Sequence, residues 1–301
     1  MTVGAVIDRF VEHELSNGRR FQTQSEYRTY FNHHIRPQWG GLLLEKVEPI
    51  PVAEWLRALP LAPKTKNHIR NAMHLLFQWA RRWRMINSNP IELVRQSNRR
   101  LKTPRVLTPP DLQALLQELQ EPYRTMVTVS ACLGLRASEV MGLKWGDVDW
   151  DELTIQVRRS VVAGPVDETK TEASAKPLPL DPDLATALLD WRRQATYVSD
   201  LDFVFAGTSG RPRWQGMILK GYVQPAADRA GIGKVGWHTF RHSYRAWLKR
   251  FAAPAEIQKE LMRHSNLKTT VEIYGIEPDV APAHREANSE VVRALLGKGR
   301  K

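Results

Sequence analysis

The amino-acid sequence predicts a mainly α-helical protein with a small antiparallel β-sheet, arranged in two domains. Three observations carry this. Apolar residues in the first hundred positions recur at three- and four-residue steps, the period of a buried helix face. Residues 153–157 (Leu-Thr-Ile-Gln-Val) alternate, as a half-buried strand does, and 176–180 is a candidate partner strand. Between the helical front and the mixed remainder, positions 95–106 hold five basic residues and only two aliphatic ones. That stretch reads as a linker, and 301 residues is a natural length for two domains. The expected division is 1–95, a basic linker at 96–106, and 107–301 with a tail from 275 onward.

Along the chain, amphipathic helices are expected near 3–15 and 23–34. The clearest helix spans 64 to about 85, where Ile69, Ala72, Met73, Leu76, Ala80 and Trp83 form one buried face. Phe77, Trp79 and Trp83 read as core. Arg70, Arg81, Arg82 and Arg84 lie mostly off that stripe and are candidates for phosphate contacts. Asn87-Ser88-Asn89-Pro90 ends the helix, because proline and the residue before it both resist helical backbone. The second domain opens on Thr108-Pro109-Pro110-Asp111, a capping-box pattern with proline in the first turn. Leu112, Leu115, Leu116 and Leu119 follow at helical spacing. A second helix runs from about 121 to 133, and Gly134 can stop it. Phe203-Val204-Phe205 is a short apolar run, helices dominate again from Trp214, and 287–296 is an amphipathic helix behind a turn at 278–282.

Composition narrows the class. Hydrophobic residues at 42% and charged residues at 25% are those of an ordinary globular chain, which excludes general disorder. No apolar run approaches the ~18 residues of a membrane span, and the first residues lack a signal-peptide layout. The single cysteine, Cys132, can form neither an internal disulfide nor a cysteine-built zinc site, so a reducing, cytoplasmic setting is expected. The net charge of +12 is uneven: 1–105 carry 18 basic against 8 acidic residues, and 106–301 carry 26 against 24. A cationic front third points to a polyanion, nucleic acid above all. Arg99, Arg100, Lys102 and Arg105 of the linker join the DNA-contact candidates.

Several chemistries lack their residues. Asp147, Asp149, Asp151 and Glu152 crowd together but fail as a calcium loop, since Glu152 stands where glycine is needed and Arg158 where the last ligand belongs. They read as a polar turn, His33-His34 has no partner at ligand spacing, and no metal site is expected. No phosphate-binding Gly-Lys-Ser/Thr loop and no Gly-x-Ser-x-Gly elbow occurs.

What remains is an ordered set of cations and one tyrosine. Arg136 follows a glycine stop and has Glu139 three residues on, on the same helical face. Lys170 lies in the loop between the two expected strands, with Lys176 close by. His238 and Arg241 sit at i and i+3, His264 follows the end of another helix, and Tyr274 comes ten residues later. His242 and Arg263, beside the chosen residues, read as solvated neighbours.

In that order the set resembles the tyrosine recombinases, the phage integrase family, over nearly the whole chain. The resemblance implies a helical core-binding domain at the front and an α+β catalytic domain behind it. It implies Arg136, Lys170, His238, Arg241 and His264 as activating groups, Glu139 as their support and Tyr274 as nucleophile. The substrate implied is double-stranded DNA with inverted core-type half-sites, cut through a 3′-phosphotyrosyl bond with no cofactor. A homotetramer on DNA is implied too, and the tail helix is expected to dock on a neighbouring subunit, with docking on its own domain as the alternative. The chain departs from the family at Arg263, where Leu-Gly-His is frequent, and at Ile276, where histidine is frequent. A separate arm-binding module is not expected, since helical sequence starts almost at Met1. Two other readings stay open: a type IB topoisomerase and a non-catalytic DNA-binding protein of the same fold.

Overall fold

The computed structural model describes residues 1–17, 21–95, 104–162, 166–168, 177–251, 253–263 and 281–296, with backbone alone for 166–168 and 281–284. The backbone divides into two units, Met1–Thr103 and Pro104–Lys301.

The first unit is helical. Helix Val3–Phe10 starts at Thr2, whose hydroxyl accepts the Ala5 amide, and buries Val3, Val6, Ile7 and Phe10. It continues into a π-helical turn, Val11–Leu15. An α-helix would next bury position 13 or 14, which are His13 and Glu14. The wider turn carries the stripe on to Leu15 instead. A second helix, Phe21–Tyr30, passes into the π-turn Phe31–Ile35 in the same way, burying Phe31 and Ile35. Phe10 is at the centre of this core, edge-on to Phe31 and to Trp79 with ring centroids 5.6 Å apart in both pairs.

The long helix is Pro63–Arg82, with proline in its first turn and Ile69, Ala72, Met73, Leu76, Phe77, Trp79 and Ala80 buried. Trp83 departs from expectation, being 62% exposed. The helix ends at Arg82 and Arg84 turns to φ +56°, so the helical spacing that would place the Trp83 ring in the core no longer applies. Beyond it, Asn89 accepts the Ile91 amide and donates to the His74 carbonyl, which fixes the 3-10 turn Pro90–Leu93 against the long helix.

In the second unit the capping box forms as expected. The Thr108 amide donates to Asp111 and the Asp111 amide to the Thr108 hydroxyl, opening helix Pro109–Gln117. Helix Tyr123–Leu133 runs through the middle, buried from Thr125 to Leu133. Cys132 lies inside it, its thiol pushed well up by burial, a packing residue. Strands β1 (Val148–Asp149), β2 (Thr154–Ile155) and β5 (Leu178–Pro179) form an antiparallel sheet with β2 central, Ile155 facing Val148 on one side and Leu178 on the other. Between β2 and β5 the chain makes a further antiparallel pair, β3 (Arg159–Val161) with β4 (Val166–Glu168), which alternation alone did not reveal. Asp147 of the acidic turn takes a forked contact from Arg159 at 2.8 and 3.2 Å. Helix Ala137–Gly142 packs on β3, and a Cβ on Gly142 would stand 2.8 Å from the Arg159 carbonyl oxygen.

The C-terminal helix is Ala281–Leu296. It packs on helices Pro109–Gln117, Tyr123–Leu133 and Trp237–Arg250 of its own unit, with Val291, Val292 and Leu295 buried. Asn288 is buried and accepts from the Tyr244 hydroxyl at 2.9 Å while donating to the Pro179 carbonyl at 3.1 Å. Gln113 donates to the carbonyls of Ala294 and Leu295.

Candidate active site

The site is built where three helix ends meet. Helix Tyr123–Leu133 stops at Gly134, which holds φ +60°. That left-handed backbone suits glycine, and a Cβ there would stand 2.4 Å from Tyr244 Cδ1. The turn delivers Arg136 to the N-terminal end of helix Ala137–Gly142. Glu139 reaches back: Oε2 accepts the Arg136 amide at 2.8 Å and Oε1 accepts Arg136 Nη1 at 2.9 Å. The carboxylate thus caps the helix and orients the arginine, as the i, i+3 spacing predicted. The Arg136 side chain is 41% exposed while that of Glu139 is buried.

Helix Trp237–Arg250 supplies the second arginine. Its start is pinned by the Trp237 indole N–H on the Gln215 carbonyl and by the Gly236 amide on the Thr239 hydroxyl. His238 is exposed on the first turn, its ring 6.3 Å from that of His242. Arg241 is only 5% exposed. It donates to the carbonyls of Gly134 and Met262, so one guanidinium joins the ends of two other helices. Burial lowers it to about 10, assisted by the charge of Arg136 and opposed by Glu139. It stays a cation at neutral pH.

The third contributor was missed by sequence. Arg263 follows the end of helix Ala255–Leu261 and is not solvated: its side chain is 1% exposed, with Nη2 2.6 Å from Glu139 Oε1. Its departure from Leu-Gly-His was the only signal, since nothing local distinguishes a buried arginine from an exposed one. Burial pushes the Glu139 carboxyl up. The charge of Arg263, the Arg136 amide and the Arg136 guanidinium more than offset this and hold it below its ordinary value. Three guanidiniums around one carboxylate make a net positive pocket, suited to an oxyanion with charge to be neutralised.

Lys170, Lys176, His264 and Tyr274 lie outside the described residues, as do Arg99, Arg100 and Lys102. The remaining DNA-contact candidates divide. Arg70 donates to the Val94 and Ile91 carbonyls and to Asn71, and Arg105 to the Ile232 and Lys234 carbonyls. These hydrogen bonds give both arginines a part in holding the fold together. Arg81 pairs with Glu92 at 3.1 Å. Arg82 and Arg84 are exposed.

Residues 105–277 match the model of the phage integrase family, a stretch that holds Arg136, Glu139, His238, Arg241 and Arg263. The chain belongs to the phage integrase family. Among relatives, it is 28% identical over 165 residues to a XerC-like tyrosine recombinase of Caldanaerobacter subterraneus, covering 47% of this chain and 42% of that protein. The chain therefore matches less than half the length of that relative. Among solved structures, an integrase of transposon Tn1549 in complex with circular intermediate DNA superposes with a TM-score of 0.76 at 18% identity, covering 97% of this chain and 99% of the other. A lambda integrase tetramer bound to a Holliday junction superposes with a TM-score of 0.68 at 17% identity, covering 100% and 79%. At these identities the two structures establish a shared integrase fold. Among the described residues no helix is long and apolar enough to cross a membrane.

Proposed function

We propose that this integrase-family chain is a site-specific DNA recombinase that cuts and rejoins strands through a 3′-phosphotyrosyl intermediate. The observation that carries the reading is the convergence of Arg136 and Arg241 around the Glu139 carboxylate. They come from helices about a hundred positions apart, inside the segment that matches the family.

In this mechanism the guanidiniums of Arg136 and Arg241 take up negative charge on the non-bridging oxygens as the phosphorus becomes five-coordinate, where fixed cations act most strongly. Tyr274 Oη attacks phosphorus, the bond to the 5′ oxygen breaks, and Lys170 gives that oxygen its proton. The exposed His238 receives the tyrosine proton, which a phenol with a pKa near ~10 does not readily lose unaided. His264 adds a donor to the phosphate. The energy of the broken ester stays in the phosphotyrosyl bond, so the 5′-hydroxyl of another strand reverses the step and forms a new junction.

Exchange between two duplexes takes four such sites. We therefore read the working assembly as a homotetramer on inverted half-sites, with the lambda integrase tetramer as support from a similar fold. Integration or excision of a mobile element is the role we propose, in keeping with the similarity to a transposon integrase.

The test is incubation with supercoiled plasmid in excess EDTA beside Tyr274→Phe. Relaxation or covalent DNA capture by the wild type alone supports the tyrosine mechanism. Equal action by both proteins overturns it. A duplex selected from a random pool that is bound but never cut assigns the chain to DNA binding without catalysis.

A further inference from the structure

Arg263 combines two locally unfavourable features. Its backbone holds φ +49°, a left-handed conformation that is unfavourable for a non-glycine residue. Its guanidinium is buried, which lowers its pKa and carries a desolvation penalty that a single partner rarely repays. That partner is Glu139, whose Oε1 lies 2.6 Å from Arg263 Nη2 and 2.9 Å from Arg136 Nη1. This ion pair is close, and Nε and Nη1 have no acceptor among the described residues. A buried guanidinium with unfilled donors is costly for stability, and strained, buried polar features of this kind gather where a site needs them.

The charge arrangement indicates the need. Arg136 and Glu139 alone form a neutral pair, and a carboxylate bound to one arginine cancels most of what that arginine offers a phosphate. Arg263 reaches the same carboxylate oxygen from the buried side. It draws on the Glu139 charge and leaves the trio with a net positive charge on the side where Arg136 is exposed. We propose that Arg263 is a positioning residue of the strand-transfer site, a buried cation that holds Glu139 from behind and keeps the charge of Arg136 free for the scissile phosphate. The inference rests on the recombinase reading and adds to it a residue at which this chain departs from the family pattern.

The test uses the full chain and a nicked duplex recovered from a random-sequence pool by covalent capture on the wild type. A second duplex carries a methylphosphonate at the mapped scissile position, removing one negative charge from the reacting group. Arg263→Gly accepts the φ of this position without strain, and Arg263→Lys retains the cation. On the phosphate substrate Arg263→Gly is expected to form the covalent adduct about tenfold more slowly, the effect of one unit charge at short range in a protein. On the methylphosphonate the defect should shrink, and Arg263→Lys should lie closer to wild type on the phosphate. A purely structural role lowers the melting temperature and slows both substrates equally, and that result overturns the proposal, as does a lysine variant no better than glycine. Wild-type capture with an unimpaired Arg263→Gly overturns this inference alone. A wild type that captures nothing overturns the recombinase reading together with it.

Discussion

Arg241 donates to the carbonyl of Gly134, the residue whose left-handed turn also delivers Arg136 to the site. One contact therefore couples the two arginines through the backbone: the turn that orients the first supplies an acceptor that holds the second. Tyr244, one helical turn after Arg241, packs against the same glycine.

This makes Gly134 a sensitive position. Gly134→Ala combines about 1–2 kcal/mol of backbone strain with an overpacking cost of about 1–3 kcal/mol, since the new Cβ would meet the Tyr244 ring. Denaturant unfolding should show a loss of roughly 2–5 kcal/mol. A loss below about 1 kcal/mol would mean that the ring moves aside freely.

Glu139 sets an acid limit. Its carboxyl is held below the ordinary value, so in the folded state it binds its proton at lower pH than in the unfolded chain. Its contribution to stability is complete above the ordinary carboxylate value of about 4.5 and is lost as the pH falls through the lowered folded value. Glu139→Gln should flatten the stability profile across that acid range. It should also cost about 3–5 kcal/mol at neutral pH by leaving two guanidiniums without their carboxylate. Urea midpoints measured at steps from pH 7 to pH 2 test both statements.

The tail helix depends on a buried amide. Asn288→Ala removes the acceptor of the Tyr244 hydroxyl and the donor to Pro179, at a cost of about 1–3 kcal/mol for the groups left unsatisfied. Amide hydrogen exchange in Ala281–Leu296 should accelerate more than in helix Tyr123–Leu133. Uniform acceleration would show that the tail unfolds only with the whole unit.

Arg82 and Arg84 carry the phosphate-contact expectation for the front unit. Arg82→Ala combined with Arg84→Gly, which suits the φ of +56° at that position, should weaken binding to any duplex. The slope of log K against log salt should fall by about 1.8, the value for two phosphate contacts. Arg70→Ala should instead lower stability and leave that slope unchanged, because its guanidinium is already bound to Val94 and Ile91. A slope that drops with Arg70 and not with Arg82 and Arg84 would reverse the assignment.

The legible parts of this protein were local. The Thr108–Asp111 cap, the Gly134 stop, the Arg136–Glu139 pair and the β2–β5 pairing each follow from interactions within one element or from an alternation two residues long, and the order of the chemistry-bearing residues was enough to indicate the family. Other features needed the third dimension. The π-turns at Val11 and Phe31 shift the phase of the buried stripe, and no residue type announces them. Trp83 leaves the core because Arg84 turns to positive φ.

The sequence by itself determined the helical periodicity, the cationic front and the i, i+3 spacing of Arg136 with Glu139 and of His238 with Arg241, because covalent spacing on a helix decides which side chains lie one turn apart. Only the tertiary structure decided which carbonyls and carboxylates each described arginine meets. It set Arg70 and Arg105 against backbone carbonyls, brought Arg263 to Glu139 and packed the tail helix on helices of its own unit. The physical reason is that a guanidinium has five donors and a long, flexible stem. Its role depends on which carbonyls or carboxylates stand within reach, and those come from segments tens to more than a hundred residues away in the chain.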